Sequence, residues 1–89
     1  THGGIGERNM LTEYIRAAMK KAKYEILEDD KTFYGSIPGF QGVWSNADTL
    51  EECREELQEV LEEWLVFRLR ENLSVPVVEG IELVLKQAV

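Results

Sequence analysis

The sequence predicts an α+β fold with the element order α-β-β-β-α-β, in which one face of an antiparallel sheet is covered by a long helix. Two segments carry apolar residues at helical spacing, and short β-prone runs separated by turn residues lie between them. A length of 89 residues is enough for one small hydrophobic core. Strands grouped together, with helices outside the group, are typical of α+β domains.

The first nine residues are predicted to lie outside this domain. They contain three glycines and have no apolar period, so we expect residues 1–9 to be a flexible leader or a remnant of cloning, with Met10 a candidate native start. Residues 10–89 are predicted to form one domain. The only histidine is His2. Ser-His, Cys-His and His-metal sites are therefore not expected in the folded body.

The first helix is predicted over Met10–Ala22, with Asn9 as its N-cap. A hairpin is predicted next, from strands at Tyr24–Glu28 and Thr32–Ile37. Gly35 in the interior of the second strand suggests a bulge or a close neighbour.

Pro38 and Gly39 then form a turn. A third strand is predicted over Gln41–Asn46, with Val43 and Trp44 on opposite faces.

The long helix is predicted to begin at Asp48 or Thr49, where Thr49 and Glu52 have the spacing of a capping box. Its core face is defined by seven residues at helical spacing: Leu50, Cys53, Leu57, Val60, Leu61, Trp64 and Phe67. A connector over Leu73–Gly80 follows, and a closing strand is predicted at Ile81–Leu85 with Ile81, Leu83 and Leu85 inward.

Beyond Glu63 the helix is apolar on more than one side and so needs a second cover, from the first helix, another copy of the chain, or both. We therefore expect a homo-oligomer, a dimer or a tetramer. The residues predicted at its interface are Tyr14, Met19, Leu65, Val66 and Leu69.

The formal net charge is −7. Direct DNA binding by this chain is not expected, because phosphate contacts depend on Lys and Arg. A basic protein is a better partner, although an acidic surface also serves solubility alone. The residues predicted to bind a partner are Glu55, Glu59, Glu62 and Trp44. The sequence has no apolar run of membrane-spanning length and no signal peptide, so we expect a cytoplasmic protein.

No catalytic, cofactor-binding or metal-binding residues are predicted. Glu28, Asp29 and Asp30 could be imagined as the metal ligands of a nuclease, but adjacent acids at a hairpin tip are more typical of a solvated turn. Cys53 is the only cysteine and lies on the apolar face of the long helix. A buried thiol is the favoured interpretation, since no base that could activate it is near in the pattern.

Tyr24 to Ile81 resembles the HicB-like antitoxin family of toxin–antitoxin pairs. The resemblance rests on the hairpin Tyr24–Ile37, the Pro38–Gly42 turn, the segment Asp48–Cys53, and the terminal Pro76 and Gly80-Ile81. The preceding helix is similar to that of a subgroup with an extra N-terminal helix. Ala47 stands where the family usually has glycine, so a left-handed conformation is not expected there.

The resemblance implies a reduced RNase-H-like fold and a non-enzymatic function, since a nuclease-like fold does not confer nuclease chemistry. It also implies that the chain binds a basic HicA-like toxin and masks its RNA-cleaving surface. Many members carry a C-terminal DNA-binding module, which is not expected between the closing strand and Val89. Alternatives are an orphan homo-oligomeric domain without a toxin and, less favoured, the metal-dependent nuclease.

Overall fold

The computed structural model describes residues 5–81 and 83, and the side chains of 11–81 and 83. The chain forms α1 (Ile5–Lys20), β1 (Lys23–Ile26), β2 (Phe33–Ser36), β3 (Trp44–Ala47) and α2 (Leu50–Arg70). The predicted α+β class is confirmed, with α2 packed on one face of the antiparallel sheet. The predicted closing strand lies largely outside the described residues.

Helix α1 begins at Ile5, earlier than predicted, so part of the expected leader is helical and Asn9 lies inside the helix rather than at its N-cap. The turn after Lys20 is closed by hydrogen bonds from the Lys21 and Ala22 amides to the Ala18 and Met19 carbonyls. The inward side of α1 is almost fully buried and belongs to the common core: Tyr14, Ala17, Ala18 and Met19.

The sheet has the order β1-β2-β3 with both pairs antiparallel. Tyr24 pairs with Gly35, and Gly35 pairs with Ser45, so these three residues share one face. That face is covered by α2, because Ser45 and Gly35 are buried against Cys53. The neighbouring residues Tyr34 and Trp44 lie on the opposite face.

Two consecutive turns connect β2 to β3. The Phe40 amide donates to the Ile37 carbonyl, and the Val43 amide donates to the Phe40 carbonyl. Gly39 and Gly42 each occupy the third turn position with φ near +87°, as type II turns require. These turns bury Phe40 and Val43 while Trp44 remains 53% exposed, which confirms the predicted alternation of Val43 and Trp44. They also shorten the predicted third strand, which begins at Trp44.

Thr49 is the N-cap of α2, as predicted, and its hydroxyl accepts a hydrogen bond from the Glu52 amide at 3.1 Å. The buried row of α2 consists of Cys53, Leu57, Leu61 and Leu65. Successive residues of such a row are rotated by about 40°, so the row winds around the helix axis. It therefore includes Leu65, which was predicted outside the core face.

Two residues predicted on the core face are exposed: Leu50 to 46% and Phe67 to 58%. Leu50 is the first residue of α2, and Phe67 lies to one side of the winding row. Ala47 ends β3 in extended conformation, which alanine adopts without strain.

The segment after α2 folds back into the core. Val78 is buried and exchanges two backbone hydrogen bonds with Ile81 across a turn in which Glu79 and Gly80 have positive φ. Positive φ at both central residues is the geometry of a type I′ hairpin turn. Leu83 packs against the core beyond this turn.

Gly35 lies at a close approach between the sheet and α2. A Cβ atom at this position would lie 3.0 Å from Cys53 Sγ and 3.0 Å from the Tyr24 ring. The strand is regular here, so the predicted close neighbour is found rather than a bulge.

Replacing Thr49 by Ala is expected to lower the free energy of unfolding by about 1 kcal/mol, because the Glu52 amide loses its acceptor. Urea denaturation followed by circular dichroism measures this change. Thr49→Ser keeps the hydroxyl and is the matched control; a loss of equal size in both variants would contradict the capping role.

Gly35→Ala is expected to destabilise the chain by roughly 1–3 kcal/mol, because the added methyl group overpacks the contact with Cys53 and Tyr24. The same substitution in a Cys53→Ala background should cost less, since one of the two obstructing groups is then removed. Urea unfolding of the four proteins gives the coupling energy. Equal costs in both backgrounds would contradict this packing.

Candidate partner-binding surfaces

The outward side of α2 carries a continuous group of exposed carboxylates. Its buried row faces the sheet and α1, and the opposite side of the helix is left to solvent. We call this side the acidic face; its exposed members are Glu52, Glu55, Glu56, Glu59 and Glu63. In the described part of the chain the only ion pair within 4.0 Å joins Lys31 to Glu28, so the acidic face is not neutralised by direct contact.

The predicted partner-binding residues do not form one surface. Glu55 and Glu59 lie on the acidic face. Glu62 is half-buried at its edge, where it accepts a hydrogen bond from Gln58 Nε2 at 3.1 Å and lines a groove beside α1. Trp44 lies on the open face of the sheet, with the sheet and α2 between it and the glutamates.

The open face of the sheet presents an aromatic pair. The rings of Tyr34 and Trp44 stack with centroids 5.9 Å apart and an interplanar angle of 23°. They come from adjacent strands and lie diagonally across the β2–β3 pair. Stacking fixes Trp44 while leaving half of its surface exposed, which suits a residue that contacts a partner.

The residues predicted at an oligomer interface differ in how deeply they are buried. Tyr14, Met19 and Leu65 are at most 8% exposed and belong to the core of the single chain, so they offer no surface to a second copy. Val66 is 54% exposed and Leu69 is half-buried. Phe67, next to Val66, is also exposed. The sequence pattern predicts Phe67 on the core face instead, because its spacing fits that face.

A groove of about 780 Å³ lies between the Gly39–Gln41 turn, the end of α2 and the segment that follows it. Arg68 is the charged residue among those lining it. Its guanidinium lies 4.8 Å from the centre of the Trp64 ring, and its Nε donates to the Ser74 carbonyl at 2.8 Å. Both contacts are made by the guanidinium group, so the head of Arg68 is held against Trp64 and the segment after α2.

The acidic residues Glu28 and Asp30, at the tip of the β1–β2 hairpin, interact with other residues of the same turn. Asp30 accepts hydrogen bonds from the Thr32 hydroxyl at 2.7 Å and the Thr32 amide at 3.2 Å, and these bonds hold the pKa of Asp30 below its usual value. Glu28 pairs with Lys31 at 3.6 Å. Across the described residues, no three His, Cys, Asp or Glu side chains come together as metal ligands.

Cys53 is fully buried, as predicted. Its Sγ lies 3.2 Å from Ser45 Oγ, and that hydroxyl donates to the Cys53 carbonyl at 2.7 Å. Ser45 thus fixes α2 on β3. A serine hydroxyl is not a base that would form the thiolate, so the arrangement is structural.

Two tyrosines, the buried Tyr14 and the half-buried Tyr24, have raised pKa values. Burial raises the pKa of Tyr24, an effect that Arg54 partly opposes. Burial also raises the pKa of Tyr14 to about 12. The Tyr14 hydroxyl donates a hydrogen bond to the Pro76 carbonyl, and this bond joins α1 to the segment after α2.

None of the helices over the described residues is both long and apolar enough to cross a membrane.

These features define a small α+β protein whose candidate sites are surfaces suited to binding another protein. The chain belongs to the UPF0150-like family, a family associated with HicB-like antitoxins, whose profile matches residues 13–76.

A solved structure supports the same fold. The chain is similar to the crystal structure of TTHA0281 from Thermus thermophilus, with a TM-score of 0.81 and 37% sequence identity over 88% of this chain and 96% of that one. No curated protein matches the chain.

Replacing Tyr14 by Phe should make the free energy of unfolding less sensitive to alkaline pH. The neutral phenol is favoured in the folded state, so its contribution is complete below pH 10 and is lost as pH rises from 10 to about 12. Between pH 8 and pH 11 the unmodified chain should lose about 1 kcal/mol more than Tyr14→Phe.

Urea titrations of both proteins at the two pH values measure this difference. The other titrating groups are common to both proteins and cancel in the comparison. Parallel losses of stability would contradict the assignment to Tyr14. At pH 8 the variant should also be less stable by about 1 kcal/mol, because the Pro76 carbonyl loses its donor.

Proposed function

We propose that the chain is a non-enzymatic antitoxin that binds a small basic HicA-like toxin and masks its RNA-cleaving surface in the cytoplasm. Membership of the UPF0150-like family supports the antitoxin class. The single structural observation that carries the proposal is the acidic face, whose carboxylates are exposed and lie on one side of the long helix α2.

The geometry of the acidic face suits competition with RNA. From Glu52 to Glu63 it extends roughly 16 Å along α2, with carboxylates repeating about every turn. A toxin surface that binds RNA phosphates through Lys and Arg would meet a comparable row of negative charge here. Because the helix is held by the sheet and by α1, its backbone already has the helical conformation, and only the glutamate side chains are ordered on binding.

The charge distribution also predicts how such a complex forms. Complementary charge raises the association rate, and exposed pairs are screened by salt. A complex formed through the acidic face should therefore associate more slowly as ionic strength rises. Trp44 and Tyr34, on the other side of the sheet, are proposed as a separate contact that does not depend on salt in this way.

Co-expression of the chain with the small basic protein encoded beside its gene tests the function. The expected results are co-purification and relief of the growth arrest that the basic protein causes alone. A neighbour that arrests growth without being relieved would contradict the proposal. Absence of both binding and rescue would favour the alternative of an orphan homo-oligomeric domain.

The double variant Glu55→Lys/Glu59→Lys should weaken binding to that basic protein about tenfold, because two exposed carboxylates are replaced by like charges. Isothermal titration calorimetry measures the dissociation constant. Glu28→Lys/Asp29→Lys makes the same change in net charge at the hairpin tip and is the matched control. Equal weakening by both variants would contradict docking on the acidic face, and loss on Trp44→Ala alone would move the site to the open sheet.

A further inference from the structure

The groove between α1 and α2 is lined by three positively charged side chains. Arg16 and Lys20 come from α1, and Arg54 comes from α2. Two apolar residues, Ile15 and Met19, also line this groove, whose volume is about 480 Å³. We call it the basic groove. Cavities of roughly 300–1,000 Å³ are the usual size of small-molecule sites.

The stability of the helices does not explain all three cations. Arg16 and Lys20 are four residues apart on one side of α1, a spacing at which like charges destabilise a helix. Lys20 lies in the last turn of α1, where it complements the helix dipole. Arg54 is the fifth residue of α2, near the positive end of that helix, so it gains nothing from the dipole.

The cations of the basic groove are not neutralised by neighbouring carboxylates. Among the described residues, none of the three makes an ion pair within 4.0 Å. Glu62 also lines the groove, but its Oε2 accepts a hydrogen bond from Gln58 Nε2 at 3.1 Å. The chain has seventeen acidic and ten basic residues, so a group of cations without carboxylate partners runs against its general charge balance.

The positive charge is concentrated at one end of the groove. Burial raises the pKa of Tyr24, and the charge of Arg54 partly opposes this rise, so Arg54 lies close to that tyrosine. Tyr24 follows Lys20 by four residues, which places Arg54 at the Lys20 end of the groove. Glu62 is two turns further along α2, about 12 Å from Arg54 along the helix axis. Its carboxylate is therefore remote from the basic end.

The side chains at the basic end are those that bind phosphate. Arginine binds phosphate oxygens through two parallel N–H donors, and lysine adds a compact positive charge. Ile15 and Met19 offer apolar surface to a small organic group beside the phosphate. A nucleic acid fits less well, because its neighbouring phosphates would extend from the groove towards the exposed glutamates of α2.

We propose that the basic groove binds the phosphate group of a small molecule, either inorganic phosphate or a phosphate monoester, through Arg16, Lys20 and Arg54. This inference goes beyond the proposed toxin binding and does not depend on it. The groove and the acidic face lie on different sides of α2. Loss of phosphate binding and loss of toxin binding are therefore separate results.

A phosphate titration of the ¹⁵N-labelled full chain, followed by NMR, tests the proposal. Chloride is exchanged for phosphate so that ionic strength stays constant. The amide resonances of residues lining the groove should shift together, with a dissociation constant of about 1 mM. A second titration with glycerol 2-phosphate separates the two sources. Binding at least threefold tighter assigns the groove to a phosphate monoester, and equal or weaker binding assigns it to inorganic phosphate.

Arg16→Gln/Arg54→Gln should raise the dissociation constant at least tenfold, because both guanidinium groups are lost. Lys31→Gln/Arg70→Gln removes two exposed positive charges outside the groove and is the matched control, with binding expected within about twofold of the unmodified chain. Without phosphate, Arg16→Gln/Arg54→Gln should be at least as stable to urea as the unmodified chain, because repulsion between the cations is reduced.

Urea unfolding in about 20 mM phosphate gives a second measurement. The added phosphate should raise the unfolding midpoint of the unmodified chain and of the control, but not that of Arg16→Gln/Arg54→Gln, since a ligand stabilises only the state that binds it. Absence of localised resonance shifts up to this phosphate concentration would overturn the proposal. Equal weakening of phosphate binding by the two double variants would overturn it as well.

Discussion

Helix α2 lies directly against the backbone of β2 because residue 35 carries no side chain. The Cys53 thiol and the Tyr24 ring occupy the space that a Cβ atom would need. The Ser45 hydroxyl then ties the same turn of α2 to β3 through the Cys53 carbonyl. This contact sets the rotation of α2 about its axis. It thereby determines which residues enter the core and which carboxylates form the acidic face.

The second cover of α2 comes from α1 within the same chain. Tyr14 contributes a fully buried ring to the core that also contains Leu57, Leu61 and Leu65, and its hydroxyl is satisfied by the Pro76 carbonyl. A phenol can be buried at this depth because its one donor has an acceptor. The same contact fixes the segment after α2, so one side chain joins the two ends of the described fold.

The sequence predicted best those features that depend on local chemistry. Thr49 as a cap, the turn at Pro38-Gly39 and the opposite faces of Val43 and Trp44 depend on interactions within a few residues. The burial of Leu65 and the exposure of Phe67 depend on how the row on α2 winds between the sheet and α1, which spacing alone does not specify. Glu55 and Trp44 lie on different surfaces because the packed sheet stands between them. Residue spacing does not specify this packing either.

The acidic face concentrates charge of one sign on the outward side of α2. Repulsion among the glutamates favours a basic partner and opposes the side-by-side approach of two copies. Arg70 is the one basic residue beyond Glu63 on this outward side, and it follows the acidic residues instead of lying among them. The row of carboxylates from Glu52 to Glu63 therefore keeps its negative charge, which is the physical basis on which a partner of opposite charge is proposed.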